Sequence, residues 1–169
     1  MKNVMLSSAV VAFALASCST VSSILQNTFP YNASVLVAAG SPANTSLSTV
    51  AVAQSINQIT GAGANVRNIR ASNATLSVNS STSIGIFKSV KVYLSNNGSN
   101  EVLVASRENI PDNVGSTLAL DLNSSSSLDH IFKSGSVQQR IVYVLKQSPT
   151  SDVTLKSSVG FSSEPVTNP

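Results

Sequence analysis

With one cysteine, no tryptophan, one histidine and only three tyrosines and five phenylalanines in 169 residues, this chain is short of the side chains that usually carry chemistry. A lone cysteine, Cys18, excludes any intramolecular disulfide, so a folded body must hold together by core packing. No His or Cys spacing suits zinc, and no twelve-residue calcium loop surrounds the oxygen-bearing Asp112, Asn113 and Asp121, so no metal is expected. Charge is scarce too, at 10% of residues. None is charged between Lys2 and Arg67, and the first acid is Glu101. Arg67, Arg70, Lys88 and Lys91 are separated and His130 is remote, so the basic stripe of a nucleic-acid reader is missing and no nucleic acid is expected as a partner.

What is present begins at the N-terminus. Lys2 supplies a positive start, residues 4–16 form an apolar run broken only by Ser7 and Ser8, and small residues Ala16 and Ser17 precede Cys18. The run is too short to span a bilayer as a helix, which needs about 20 apolar residues, and Ser19, Thr20, Ser22 and Ser23 make the next segment polar. Residues 1–17 therefore read as a cleaved signal peptide, and without them the net charge drops from +3 to +2 and the mean hydropathy of +0.20 overstates the mature chain. Leu15-Ala16-Ser17-Cys18 resembles the lipobox of bacterial lipoproteins. That resemblance implies a diacylglycerol on the Cys18 thiol, recognition of Leu15, Ala16 and Ser17 by signal peptidase II, cleavage before Cys18, and acylation of the new amine. Two or three acyl chains would hold the protein on a lipid bilayer where a single chain binds reversibly. Ser19 in place of Asp resembles sorting to the outer membrane in Gram-negative pathways.

Residues 19–27 are small and polar and are expected to form, with Cys18, a short tether (18–27). The fold is expected to start near Thr28, because Val35-Leu36-Val37 is a β-prone run that is costly to leave in water. Residues 47–59 fit either a helix, through Val52, Ile56 and Ile59, or a strand through Thr49-Val50-Ala51-Val52; a strand with an irregular continuation is favoured.

Beyond Val66 the alternation is plain. Ala74, Leu76 and Val78 face one way, as do Val90, Val92 and Leu94. Asn96-Asn97-Gly98 predicts a hairpin turn into the run Val102-Leu103-Val104. A turn at Pro111-Asp112-Asn113 and Gly115 precedes one strand with Leu118, Leu120 and Leu122 on a common face. A short helix is expected after Ser126 as cap, with Asp129 three places on and Leu128, Ile131 and Phe132 sharing a face up to Gly135. Residues 137–146 predict a central strand, and Val153, Leu155, Val159 and Phe161 the inner face of the last. Seven or eight short strands with one short helix imply an all-β, antiparallel β-sandwich, immunoglobulin-like or a related Greek key, over residues 28–163 as a single domain with a frayed tail at 164–169.

Three segments, Phe87-Lys88-Ser89-Val90-Lys91-Val92-Tyr93-Leu94, Glu108-Asn109-Ile110-Pro111-Asp112 and Leu128-Asp129-His130-Ile131-Phe132, resemble small uncharacterised envelope lipoproteins of Gram-negative bacteria. The resemblance implies a β-sandwich at the outer membrane and carries no activity with it. No enzyme is expected. His130 beside Asp129 lacks a Gly-x-Ser-x-Gly elbow, and Glu101, Glu108, Asp112 and Asp121 look like scattered strand-end acids, so no catalytic or cofactor-binding residue is assigned and no cofactor is implied. The function expected is a lipid-anchored, non-catalytic adhesion, scaffold or assembly module with an envelope protein as partner. The alternative is a glycan or small-molecule module using end loops around Tyr31 or Tyr93.

Overall fold

A computed structural model describes residues 28–60, 66–79, 81–123 and 126–166. They form two antiparallel sheets facing each other. The ten strands are β1 (Thr28–Val37), β2 (Ser46–Val50), β3 (Gln54–Ser55), β4 (Val66–Ser77), β5 (Phe87–Asn96), β6 (Ser99–Glu108), β7 (Thr117–Ala119), β8 (Asp121–Leu122), β9 (Ser136–Leu145) and β10 (Val153–Pro165). Two short helices, α1 (Ile56–Thr60) and α2 (Asp129–Phe132), and a 3-10 turn at Ile84–Ile86 complete the described elements, one helix more than expected.

One sheet runs β1-β10-β4-β7 and the other β2-β9-β5-β6-β8, with β3 also pairing with β9. Read as pairs, β1 lies against β10, β2 and β3 against β9, β4 against β7, and β5 against β6, each antiparallel. Nested pairs of this kind, closed by β10–β4 and β9–β5 contacts, make a jelly roll. The sandwich is thus of the related Greek-key kind and not the immunoglobulin order.

Period-two patterning fixes which face is buried. Val137, Gln139, Ile141, Tyr143 and Leu145 of β9 alternate with half-exposed neighbours, and Val153, Leu155, Ser157, Val159 and Phe161 of β10 do the same. Both strands are interior to their sheets, paired on either side. At one end Phe29, Phe132 and Phe161 pack as a trio with centroids 4.9 to 5.5 Å apart, tying α2 to both β1 and β10. Phe87 and Tyr143 meet edge to face at 5.7 Å in the opposite sheet.

Several expectations are corrected. Residues 117–122 are not one strand: β7 pairs with β4 and β8 with β6, so the chain changes sheets at Leu120, and Leu122 is left exposed. Residues 47–59 contain both forms, a strand to Val50 and the helix α1 from Ile56, whose cap is Ser55 with Gln58 reaching back to the Ser55 N–H at 2.7 Å. The hydroxyl near the start of α2 belongs to Ser127, not Ser126; it accepts from the Asp129 N–H at 3.3 Å. β10 runs to Pro165, pairing Glu164 with Arg67 and Pro165 with Val66, past the boundary expected at residue 163.

Candidate functional site

Leu15, Ala16, Ser17 and Cys18, the signal peptide at 1–17 and the tether to residue 27 lie outside the described residues. Within them the acids are engaged one by one. Glu101 pairs with Arg140, Glu108 with Lys91, Asp112 with Lys146, Asp121 with Arg107 and Glu164 with Arg67. Asp152 accepts from the Ala39 N–H at 2.8 Å. Among the described residues no group of three or more His, Cys, Asp or Glu side chains could hold a metal.

Asp129 turns away from His130. Its carboxylate accepts from the backbone N–H of Ile69 at 2.8 Å and of Asn68 at 3.0 Å, while His130 is exposed. The reason lies in β4, where an extra residue opposite β10 and a left-handed Asn68 (φ 54) free two N–H groups from the ladder. Burial opposes ionisation of Asp129, but these hydrogen bonds, with Lys133 and Ser127, outweigh it and hold the carboxyl below its usual range.

Of the two tyrosines expected at a ligand site, Tyr31 is fully buried. Its hydroxyl lies between the carbonyls of Val137 (3.0 Å) and Val52 (3.1 Å), Gln139 Nε2 donates back to the Tyr31 carbonyl at 3.0 Å, and burial pushes the phenol pKa up. It locks one sheet to the other and offers no platform. Tyr93 is half-buried on the outer face of the β9-containing sheet, with the Arg140 guanidinium 4.7 Å from its ring centroid. Arg140 also grips Glu101, with Nε donating at 2.6 Å, and bonds Ser48 at 3.3 Å. The Arg140 hydrogen bond holds the Glu101 carboxyl below its usual range, and Glu101 in turn raises Arg140. The ring is already covered.

Two hollows lie side by side on the outer face of the β1-β10-β4 sheet. The first, of about 310 Å³, is lined by the outward side chains of Asn32, Ser34, Thr75, Ser77, Lys156 and Ser158. The second, of about 370 Å³, lies over Pro30, Ser72, Asn73 and Gly160. Register places Asn32, Ser158 and Thr75 in one row and Pro30, Gly160 and Asn73 in the next, so the hollows form one trough along β10. Gly160 sets its floor: a Cβ there would come within 2.5 Å of the Asn73 amide. The sequence carried the signal for this trough, polar residues at alternate positions of three strands, but only strand order shows that the three are neighbours.

Neither known protein families nor curated proteins match the chain. Among solved structures, that of Desmodium yellow mottle tymovirus aligns over 99% of this chain and 98% of its own at 11% identity, with a TM-score of 0.27. The empty head of turnip yellow mosaic virus aligns over 98% and 93% at 8% identity, with a TM-score of 0.20. Superpositions this loose carry no argument about fold or role.

Proposed function

We propose that the chain is a lipid-anchored lipoprotein of the bacterial envelope, at the outer membrane, whose sandwich is a non-catalytic adhesion or assembly module. The observation that carries the reading is the Leu15-Ala16-Ser17-Cys18 motif standing ten residues before the first strand at Thr28. Ten residues reach at most about 35 Å, so acylated Cys18 would keep the domain close to the bilayer.

Strand directions support one orientation of the domain on such an anchor. Thr28 lies opposite Ser162, at the end that also holds α2 and the Asn97-Gly98 turn, so this end would sit nearest the membrane. Residues 38–45, 81–86, 109–116 and 146–152 gather at the other end. They are knitted together by Gly40 N–H to Pro149 O (2.9 Å), Ile84 N–H to Gly115 O (2.7 Å), Lys146 N–H to Ile86 O (2.8 Å) and the Lys146 ammonium on Asp112. A cross-bonded loop cluster aimed outward suits a rigid contact surface.

Cys18→Ala tests the anchor: the variant should fold with an unchanged thermal midpoint and appear in the soluble fraction. Retention in membranes after carbonate washing would reject lipidation at Cys18. A pull-down from detergent-solubilised envelopes tests the module, and a stoichiometric envelope protein is the expected result.

A further inference from the structure

We infer that the trough on the outer face of the β1-β10-β4 sheet binds a linear polysaccharide bearing carboxylate groups. The inference deepens the adhesion reading and rests on it only in taking the domain as a binder; it does not need the lipid. Three observations carry it. The surface is hollow along two adjoining rows, where a merely solvated sheet face needs no hollow, and the stretch from Lys156 to Gly160 gives roughly 13 Å of strand to lie along. The side chains of Asn32, Ser34, Asn73, Thr75, Lys156 and Ser158 have no partner among the described residues, so six polar groups on one face of the sheet are free to take a ligand. Finally, no acidic side chain lines either hollow, and Lys156, the one charged group there, has no carboxylate partner among the described residues.

Short hydroxyl and amide side chains donate and accept, as vicinal sugar hydroxyls do, and they lose little rotamer freedom when a ligand settles. A lone ammonium at the edge of such a field favours a carboxylate set among hydroxyls. Phe29 and Phe161 border the second hollow but are buried, so no exposed aromatic ring is there for a sugar to stack on and affinity must come from hydrogen bonds and this ammonium.

Calorimetric titration of the full-length protein in detergent with oligogalacturonate, oligomannuronate and hyaluronan hexasaccharides tests this, with the methyl ester of the first as the uncharged control. At least one acidic oligosaccharide should bind, its ester at least tenfold more weakly. Lys156→Met and Ser158→Leu should each weaken binding tenfold or more without moving the thermal midpoint, and Lys88→Met, exposed on β5 of the opposite sheet, should leave it unchanged. Failure of all three acids to bind at millimolar concentration, equal binding of acid and ester, or an unaffected Lys156→Met protein would overturn the assignment. So would a stoichiometric envelope protein lost from pull-downs on Lys156→Met in the absence of sugar binding. Release of Cys18→Ala from membranes is read separately, so anchor and trough can fail independently.

Discussion

Asp129 shows how one side chain settles a local conflict. The bulge in β4 leaves the N–H groups of Asn68 and Ile69 without ladder partners, and the Asp129 carboxylate takes both. Asp129→Ala would strand them, and hydrogen bonds to a charged acceptor are worth about 1.5–3 kcal/mol each when buried. With the Asp129 side chain 27% exposed, a loss of about 2 kcal/mol in urea-unfolding free energy is expected. The pH dependence has a definite sign. The folded-state pKa is lowered, so the stabilisation is fully present above the ordinary carboxyl value near pH 4 and is lost as pH falls through the folded value. The gap between wild type and Asp129→Ala should therefore narrow in acid-titrated urea melts; a gap that widened would remove Asp129 from this role. Glycines give a second contrast at this scale. A Cβ on Gly85 would sit 2.1 Å from the backbone carbonyl oxygen of Asp112, which cannot swing aside, whereas one on Gly115 (φ +82) meets nothing within 4 Å. Gly115→Ala should cost about 1 kcal/mol from backbone conformation alone. Gly85→Ala should cost about 3 kcal/mol or fail to fold, as read by denaturant midpoint.

At the scale of elements, the β5–β6 hairpin turns through Asn97 (φ 46) and Gly98 (φ 81), both left-handed, which is the type I′ geometry that matches strand twist. Asn96 faces Ser99 across it. Gly98→Ala meets no neighbour, so its cost should be the conformational term of about 1 kcal/mol, seen as a lower thermal midpoint with near-native circular dichroism. That turn, the alternation of Ala74, Leu76 and Val78, and the inner faces of β9 and β10 are legible in the sequence because each is a short-range pattern. The cap of α1, Ser55 with Gln58 three places on, was not read from the sequence, because the β-prone residues before it drew the reading towards a strand. Other features are set by distant partners. Leu118 and Leu120 are buried while Leu122 is exposed, since the chain leaves one sheet for the other between them. Tyr31 reads as a candidate platform among the end loops, and only Gln139 and Val137, more than 100 residues on, show it to be a buried lock. The trough is of the same kind. Its residues come from three strands far apart in the chain.

For the whole molecule, the decisive fact is where the last strand goes. β10 lies between β1 and β4, so it is interior to its sheet, and among the described residues β1 has no other hydrogen-bonded neighbour in it. The core therefore cannot close until β10 is in place: Phe161 is needed beside Phe29 and Phe132, and Leu155 and Val159 are fully buried. Nested pairing of first with last also makes the contacts long-range in sequence, and loop-closure entropy has to be met before those contacts stabilise anything. Two outcomes follow for a folded body that has no disulfide to constrain it. Refolding from urea by stopped-flow fluorescence of the tyrosines should take milliseconds to seconds, the range of sandwiches dominated by non-local pairing. A chain ending at Asp152, which lacks β10 alone, should show no cooperative unfolding transition and no protected amides in hydrogen exchange, because removing that strand exposes both β1 and β4 along with the aromatic trio. A cooperative transition in the shortened chain would mean that the other sheet folds by itself and that the two sheets are not one unit.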